Sequence, residues 1–184
     1  MLISKNHLTK YKTSSNTKMA RHRVFYEALL ASTDKEYKPA KAVKVFLSHK
    51  HDDGEILEQV IELLEKLGVK VYVDWMDEDM PMVTSGETAV EIKKKIKSND
   101  KFILLATENA IQSKWCNWEL GFGDNEKYSN DIAILPITEN DGTWSGNEYL
   151  QIYPIIKTKN QHSTGEYYVE FDGIKNELEE WLKS

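Results

Sequence analysis

Glu119 stands in the stretch Ser113-Lys-Trp-Cys-Asn-Trp-Glu-Leu-Gly-Phe-Gly123. On a helix of 100° per residue with Trp115 as origin, Trp118 falls at about 300°, Phe122 at about 340° and Glu119 at about 40°. The carboxylate therefore shares an arc with three aromatic rings instead of lying on a charged face. Desolvating a carboxylate is costly, so an acid in that place needs a reason. One reason is catalytic: a carboxylate beside an apolar wall stabilises positive charge on a sugar as a glycosidic or N-glycosidic bond breaks through an oxocarbenium-like transition state. The other is structural: a glutamate that accepts hydrogen bonds from a neighbouring loop. The helical projection alone leaves both open.

A second stretch is Phe46-Leu-Ser-His-Lys-His-Asp-Asp53. A strand ending in a small hydroxyl residue lets a ligand approach the backbone and the next helix N-terminus, which favours phosphate. Capping by Ser48 and Asp53 explains the same residues without a ligand. His49, His51 and Asp52 invite a metal, but there is no HExxH pattern and no cysteine cluster, so loop histidines without metal are expected. Cys116, the single cysteine, has no partner histidine in the pattern and reads as a buried thiol. Lys93, Lys94, Lys95 and Lys97 fit the solvated face of a helix better than a nucleic-acid patch. GxGxxG, GxxxxGK[ST] and GxSxG are absent, which disfavours a standard dinucleotide fold, a P-loop NTPase and a serine hydrolase.

The elements that must hold these residues alternate. Val43–Ser48, Val69–Trp75, Lys101–Ala106 and Ile132–Ile137 read as short apolar strands. A helix is expected from Asp52 or Asp53 to Leu67, with its apolar residues on one side and Gly68 as a left-handed cap. Ser85 is placed to cap a second helix through Ile96, with Ala89, Ile92 and Ile96 facing in. Thr107–Tyr128 has room for one or two helices, and 138–165 gives no clear assignment. Tyr167–Phe171 reads as an edge strand, and Asp172 as the cap of a final helix containing Ile174, Leu178, Trp181 and Leu182. This alternation implies a mainly parallel sheet covered on both faces, with ligands at the carboxyl ends of its strands.

The chain has 184 residues, 40% hydrophobic and 29% charged, which suits one domain and a short extension. No apolar run approaches the roughly 20 residues of a membrane span, so no membrane is expected. One cysteine excludes a disulfide-stapled scaffold and fits a reducing cytoplasm. The net charge is −6, yet residues 1–23 carry six basic side chains and no acid. The rest is strongly acidic, which argues against nucleic acid as a partner. Residues 1–16 read as a polar, poorly ordered tail, Thr17 to Ser32 as a helix, and 33–42 as a linker. The expected organisation is a basic N-terminal tail and helical extension over 1–42, followed by one domain over 43–184.

Taken in order, Val45-Phe-Leu-Ser-His-Lys50, Val71-Tyr-Val-Asp-Trp75, the loop Met76–Gly86, Lys101-Phe-Ile-Leu-Leu-Ala-Thr107 and Ser113-Lys-Trp-Cys-Asn-Trp-Glu-Leu-Gly121 resemble a Toll/interleukin-1 receptor (TIR) domain. The likeness is firm over about 43–138. It implies a flavodoxin-like α/β three-layer sandwich with a central parallel sheet of five strands. Many members of that family cleave NAD⁺ at the nicotinamide–ribose bond, and some cyclise the released ADP-ribose. The family's catalytic glutamate matches Glu119, and its aromatic four residues earlier matches Trp115. Ser48, His49 and Lys50 match the turn bordering the nucleotide. Trp75 and Asp77 begin the loop that covers the site and joins subunits.

The resemblance therefore implies an NAD⁺ nucleosidase or ADP-ribosyl cyclase with NAD⁺ as substrate and no cofactor or metal. Self-association through the 76–86 loop is implied as well. So is a nucleotide product read by a separate effector in anti-phage defence. The sequence lacks the Pro-Gly loop centre of animal receptors, which points to the bacterial enzymatic branch. A non-catalytic TIR–TIR interaction module is the alternative.

Overall fold

The structure is a computed structural model that describes residues 1–11, 42–74, 85–127, 129–139, 143, 144 and 146–184. Its parallel strands are β1 (Ile3–Ser4), β2 (Lys44–Ser48), β3 (Lys70–Tyr72), β4 (Lys101–Ala106), β5 (Ile132–Thr138) and β6 (Ile155–Thr158). An antiparallel hairpin of β7 (Tyr167–Phe171) and β8 (Ile174–Glu177) continues the sheet. The helices are α1 (Lys5–Leu8), α2 (Gly54–Lys66), α3 (Gly86–Ser98), α4 (Glu108–Gln112), α5 (Lys114–Glu126) and α6 (Leu178–Lys183).

The strand order is β3-β2-β4-β5-β6-β7-β8, with β1 paired to β5 beyond this path. The path reverses between β2 and β4, which makes the crevice beyond Ser48 and Thr107 the expected ligand position. The strands β3, β2, β4, β5 and β6 are the five parallel strands expected from the resemblance, and β1, a sixth parallel strand, with the β7–β8 hairpin brings the sheet to eight.

Alternation along β4 builds two cores. Ile103 and Leu105 face a layer with α2 and the N-terminal segment, while Phe102, Leu104 and Ala106 face α3 and α5. Helix α2 turns Leu57, Val60, Leu63 and Leu64 inward and ends at Gly68, whose φ of 83° suits a residue without Cβ. Helix α3 is capped by Ser85, which also forms a reciprocal pair with Thr88, and buries Ile92 and Ile96. Helix α5 lies close on the sheet at Gly123: a Cβ there would stand 3.1 Å from the Phe102 ring. That approach places the next inward turns, including Glu119, over the end of β2.

Several expectations are corrected. Residues 1–11 are not a loose tail. Ile3, Leu8 and Tyr11 are buried, Ile3 and Ser4 pair with Ile137 and Thr138, and His7 bonds Tyr167 and Gln161. Their apolar side chains are few, but Ile3, Leu8 and Tyr11 all join the core layer that holds α2. The fifth parallel strand is β6, from the segment that gave no clear assignment. Tyr167–Phe171 is interior to the sheet, because β8 covers it. Asp172 does not cap a helix: with φ of 47°, and 77° at Gly173, it forms the tight turn between β7 and β8. Ile174 consequently lies on an exposed strand, and the last helix begins at Leu178.

The helix expected over Thr17 to Ser32 lies outside the described residues, as does the loop from Met76 apart from Ser85 and Gly86. No helix among the described residues is long and apolar enough to cross a membrane.

Candidate active site

Glu119 is 3% exposed and sits one turn after Trp115 on α5. Its Oε2 accepts a hydrogen bond of 2.6 Å from the Ser48 hydroxyl at the end of β2. The Trp115 side chain also favours the ionised form of the carboxyl group. Burial pushes the Glu119 carboxyl up to about 8, against the pull of Ser48 and Trp115, and the negative charge of Asp74 pushes the same way. At neutral pH the acid is therefore largely protonated in the free protein.

The aromatic arc read from the sequence is real. Trp115 and Trp118 have ring centroids 5.1 Å apart, and Trp118 and Phe122 stack at 6.3 Å. Lys93 Nζ stands 4.9 Å from the centroid of Phe122, so α3 closes the outer side of the arc with a cation. The wall beside the acid is thus apolar toward Trp115 and positively charged farther along.

The turn after β2 is anchored from three sides. Ser48 does not cap the following helix, because its hydroxyl is committed to Glu119. The Cys116 thiol donates to the His49 carbonyl at 3.2 Å. Asp53 does not cap either; it accepts from Thr107 Oγ1 and, at 3.0 Å, from Asn109 Nδ2. That carboxylate ties the β2 turn to the start of α4 across the sheet's switch point. The Cys116 thiol is buried, and desolvation pushes it up to about 11, which suits a structural group and not a nucleophile.

Of the residues singled out in the sequence, Ser48, Trp115 and Glu119 meet directly. His49 is next to them with its ring buried, its Nδ1 3.1 Å from the Leu47 carbonyl. Lys50 points toward Asp52, 3.8 Å away, with a half-exposed ammonium. Trp75 and Asp77 lie outside the described residues. Sequence reasoning missed Asp74, which faces His49 from the end of β3 at 3.6 Å. Its position at a strand's carboxyl end was the available signal. Among the described residues no group of three or more His, Cys, Asp or Glu side chains is arranged to hold a metal.

The arrangement is a buried carboxyl held by a serine, flanked by an indole face, at the crevice where the strand order reverses. It suits the stabilisation of a cationic centre on a sugar ring held against Trp115.

The TIR domain family model matches residues 45–166. The chain is 32% identical over 158 residues to a probable 3′ cyclic ADP-D-ribose synthase ThsB′ of Bacillus cereus (strain MSX-D12), covering 78% of this chain and 80% of that one. It is 31% identical to a putative cyclic ADP-D-ribose synthase TIR2 of Cytobacillus dafuensis, over 45% of this chain and 22% of the relative. It is 30% identical to a probable 2′ cyclic ADP-D-ribose synthase TcpO of Methanobrevibacter olleyae, over 56% of this chain and 32% of the relative. The chain therefore spans most of the first relative and about a fifth to a third of the other two. It belongs to the TIR domain family.

Proposed function

We propose that this TIR-domain protein cleaves NAD⁺ at the nicotinamide–ribose bond and closes the ADP-ribosyl group on itself, giving nicotinamide, a cyclic ADP-ribose and a proton. The single observation that carries this reading is Glu119: a carboxyl 3% exposed, bonded to Ser48 and beside Trp115. The names of the relatives support cyclisation over simple hydrolysis.

The chemistry follows from the site. The pyridinium ring of NAD⁺ is cationic, and its arrival beside Glu119 favours the ionised carboxylate. As the C1′–nitrogen bond breaks, the bonding pair leaves with nicotinamide and positive charge grows on the ribose. The carboxylate stabilises that charge in a site that excludes water. A hydroxyl of the same molecule then attacks C1′ and loses its proton. A carboxyl pushed up to about 8 is a competent acceptor for it at neutral pH. Trp115 offers a flat apolar face for the nicotinamide or its ribose. Ser48, His49 and Lys50 border the nucleotide.

The finer parts of the reading follow the resemblance. The protein works in the cytoplasm, self-associates through the 76–86 loop, and passes its cyclic product to a separate effector in anti-phage defence. Incubating concentrated protein with NAD⁺ and weighing the products by mass spectrometry tests the reaction. Cyclisation gives a product one water lighter than ADP-ribose, whereas hydrolysis gives ADP-ribose itself.

A further inference from the structure

We propose that Asp74 is a positioning residue of this site: with the His49 imidazole it forms a protonation-dependent clasp that ties the end of β3 to the turn carrying Ser48. Its catalytic consequence rests on the NAD⁺-cleaving reading; the clasp itself does not.

The geometry is unusual in its polarity. The His49 ring is 4% exposed, with Nδ1 3.1 Å from the Leu47 carbonyl oxygen and Nε2 3.6 Å from Asp74 Oδ1. Both neighbours are acceptors. A neutral imidazole has one N–H, so either tautomer turns a lone pair toward an oxygen. Only the imidazolium donates to both. At 3.6 Å the ring and the carboxylate stand slightly beyond hydrogen-bond distance, as expected for an open clasp around a neutral ring. Taking up a proton at Nε2 draws Asp74 inward and closes it.

The surroundings set when this happens. Burial is the largest influence on His49 and opposes its protonation; Asp74 is the next and favours it. The Leu47 carbonyl and Asp53 also favour the proton, and His51 opposes it. From α5, the Cys116 thiol holds the His49 carbonyl, and Glu119 reaches the same turn through Ser48. The Lys50 ammonium on the same turn is directed to Asp52.

Asp74 also faces Glu119, and its charge opposes ionisation of that carboxyl. A protonated His49 offsets that charge. The clasp thus couples the position of β3's end to the form in which Glu119 acts.

Imidazole ¹H–¹⁵N spectra of the full chain across about pH 5 to 8 test it, with His49 assigned from His49→Gln and folding checked by thermal melts. In Asp74→Asn the His49 midpoint is expected to move to lower pH, and in Asp74→Glu to stay near the wild-type value. In the same Asp74→Asn variant the acid limb of kcat/KM for NAD⁺ moves to lower pH, because a like charge beside Glu119 is gone. A midpoint that does not move in Asp74→Asn overturns the clasp, and a rate profile scaled without displacement overturns its catalytic consequence. The spectra need no substrate. A wild-type chain that leaves NAD⁺ intact overturns the functional reading, while the midpoints still decide the clasp.

Discussion

The Ser48 hydroxyl donates to Glu119 across 2.6 Å, so the last residue of a central strand holds the acid that a neighbouring helix presents. Neither element alone makes the site. Replacing Ser48 by alanine removes a donor to a carboxyl group that is 3% exposed. Ionised Glu119 then loses more support than neutral Glu119. The expected outcome is an acid limb of kcat/KM displaced to higher pH and activity at neutral pH lower by about tenfold or more. Pre-steady and steady-state rates of nicotinamide release across pH check it.

In the wild-type chain kcat/KM rises as pH passes through about 8, because the free protein carries Glu119 mostly protonated below that value. A Glu119→Gln variant has no such limb. The measurement is a pH profile at substrate well below KM.

The same carboxyl leaves a mark on stability. Its folded pKa of about 8 lies above its unfolded value near 4.5, so the native state binds this proton more tightly than the unfolded chain. The contribution is complete below about 4.5 and is lost as pH rises through about 8. Wild-type stability therefore falls over that window relative to Glu119→Gln, which keeps a neutral side chain throughout. Paired denaturant titrations at several pH values show whether the difference grows with pH.

How the site reads in the sequence depends on the range of each interaction. The aromatic arc around Glu119 is local to one helix, so projection at 100° per residue finds it. The partner Ser48 is 71 residues away, and no local pattern says whether its hydroxyl caps a helix or meets an acid. Asp74 falls in the same class. The parallel strands β2, β4 and β5 are legible because each is a short apolar run buried on both faces; β3 is legible from its β-branched run, although Lys70 and Val71 are only half-buried. β6 was not: Lys157 interrupts its apolar pattern, and its place is set by pairing with β5 and β7. The Asp172-Gly173 turn reads in the sequence as a helix start because aspartate serves both as a helix cap and in a tight turn; the positive φ values decide it.

Residues 1–11 supply a test of the corrected fold. Leu8 is fully buried, so Leu8→Ala is expected to destabilise the chain by about 2–5 kcal/mol. A loose tail would give no change. Urea titration of the two proteins measures it.

Cys116 should be slow to alkylate in the folded protein. It is buried, donates to the His49 carbonyl, and its thiol is pushed up to about 11. Iodoacetamide labelling followed by mass spectrometry is expected to be at least tenfold slower in native buffer than in denaturant. Fast native labelling would mean that the β2 turn opens readily.

The central claim is that Glu119, held by Ser48, drives cleavage of the nicotinamide–ribose bond. The most direct measurement is nicotinamide release from NAD⁺ by concentrated wild-type protein and by Glu119→Gln, side by side near pH 8. Release by the wild type with a loss of roughly a hundredfold or more in the variant is the expected result. Equal release by both proteins, or no release by the wild type at any protein concentration, contradicts it.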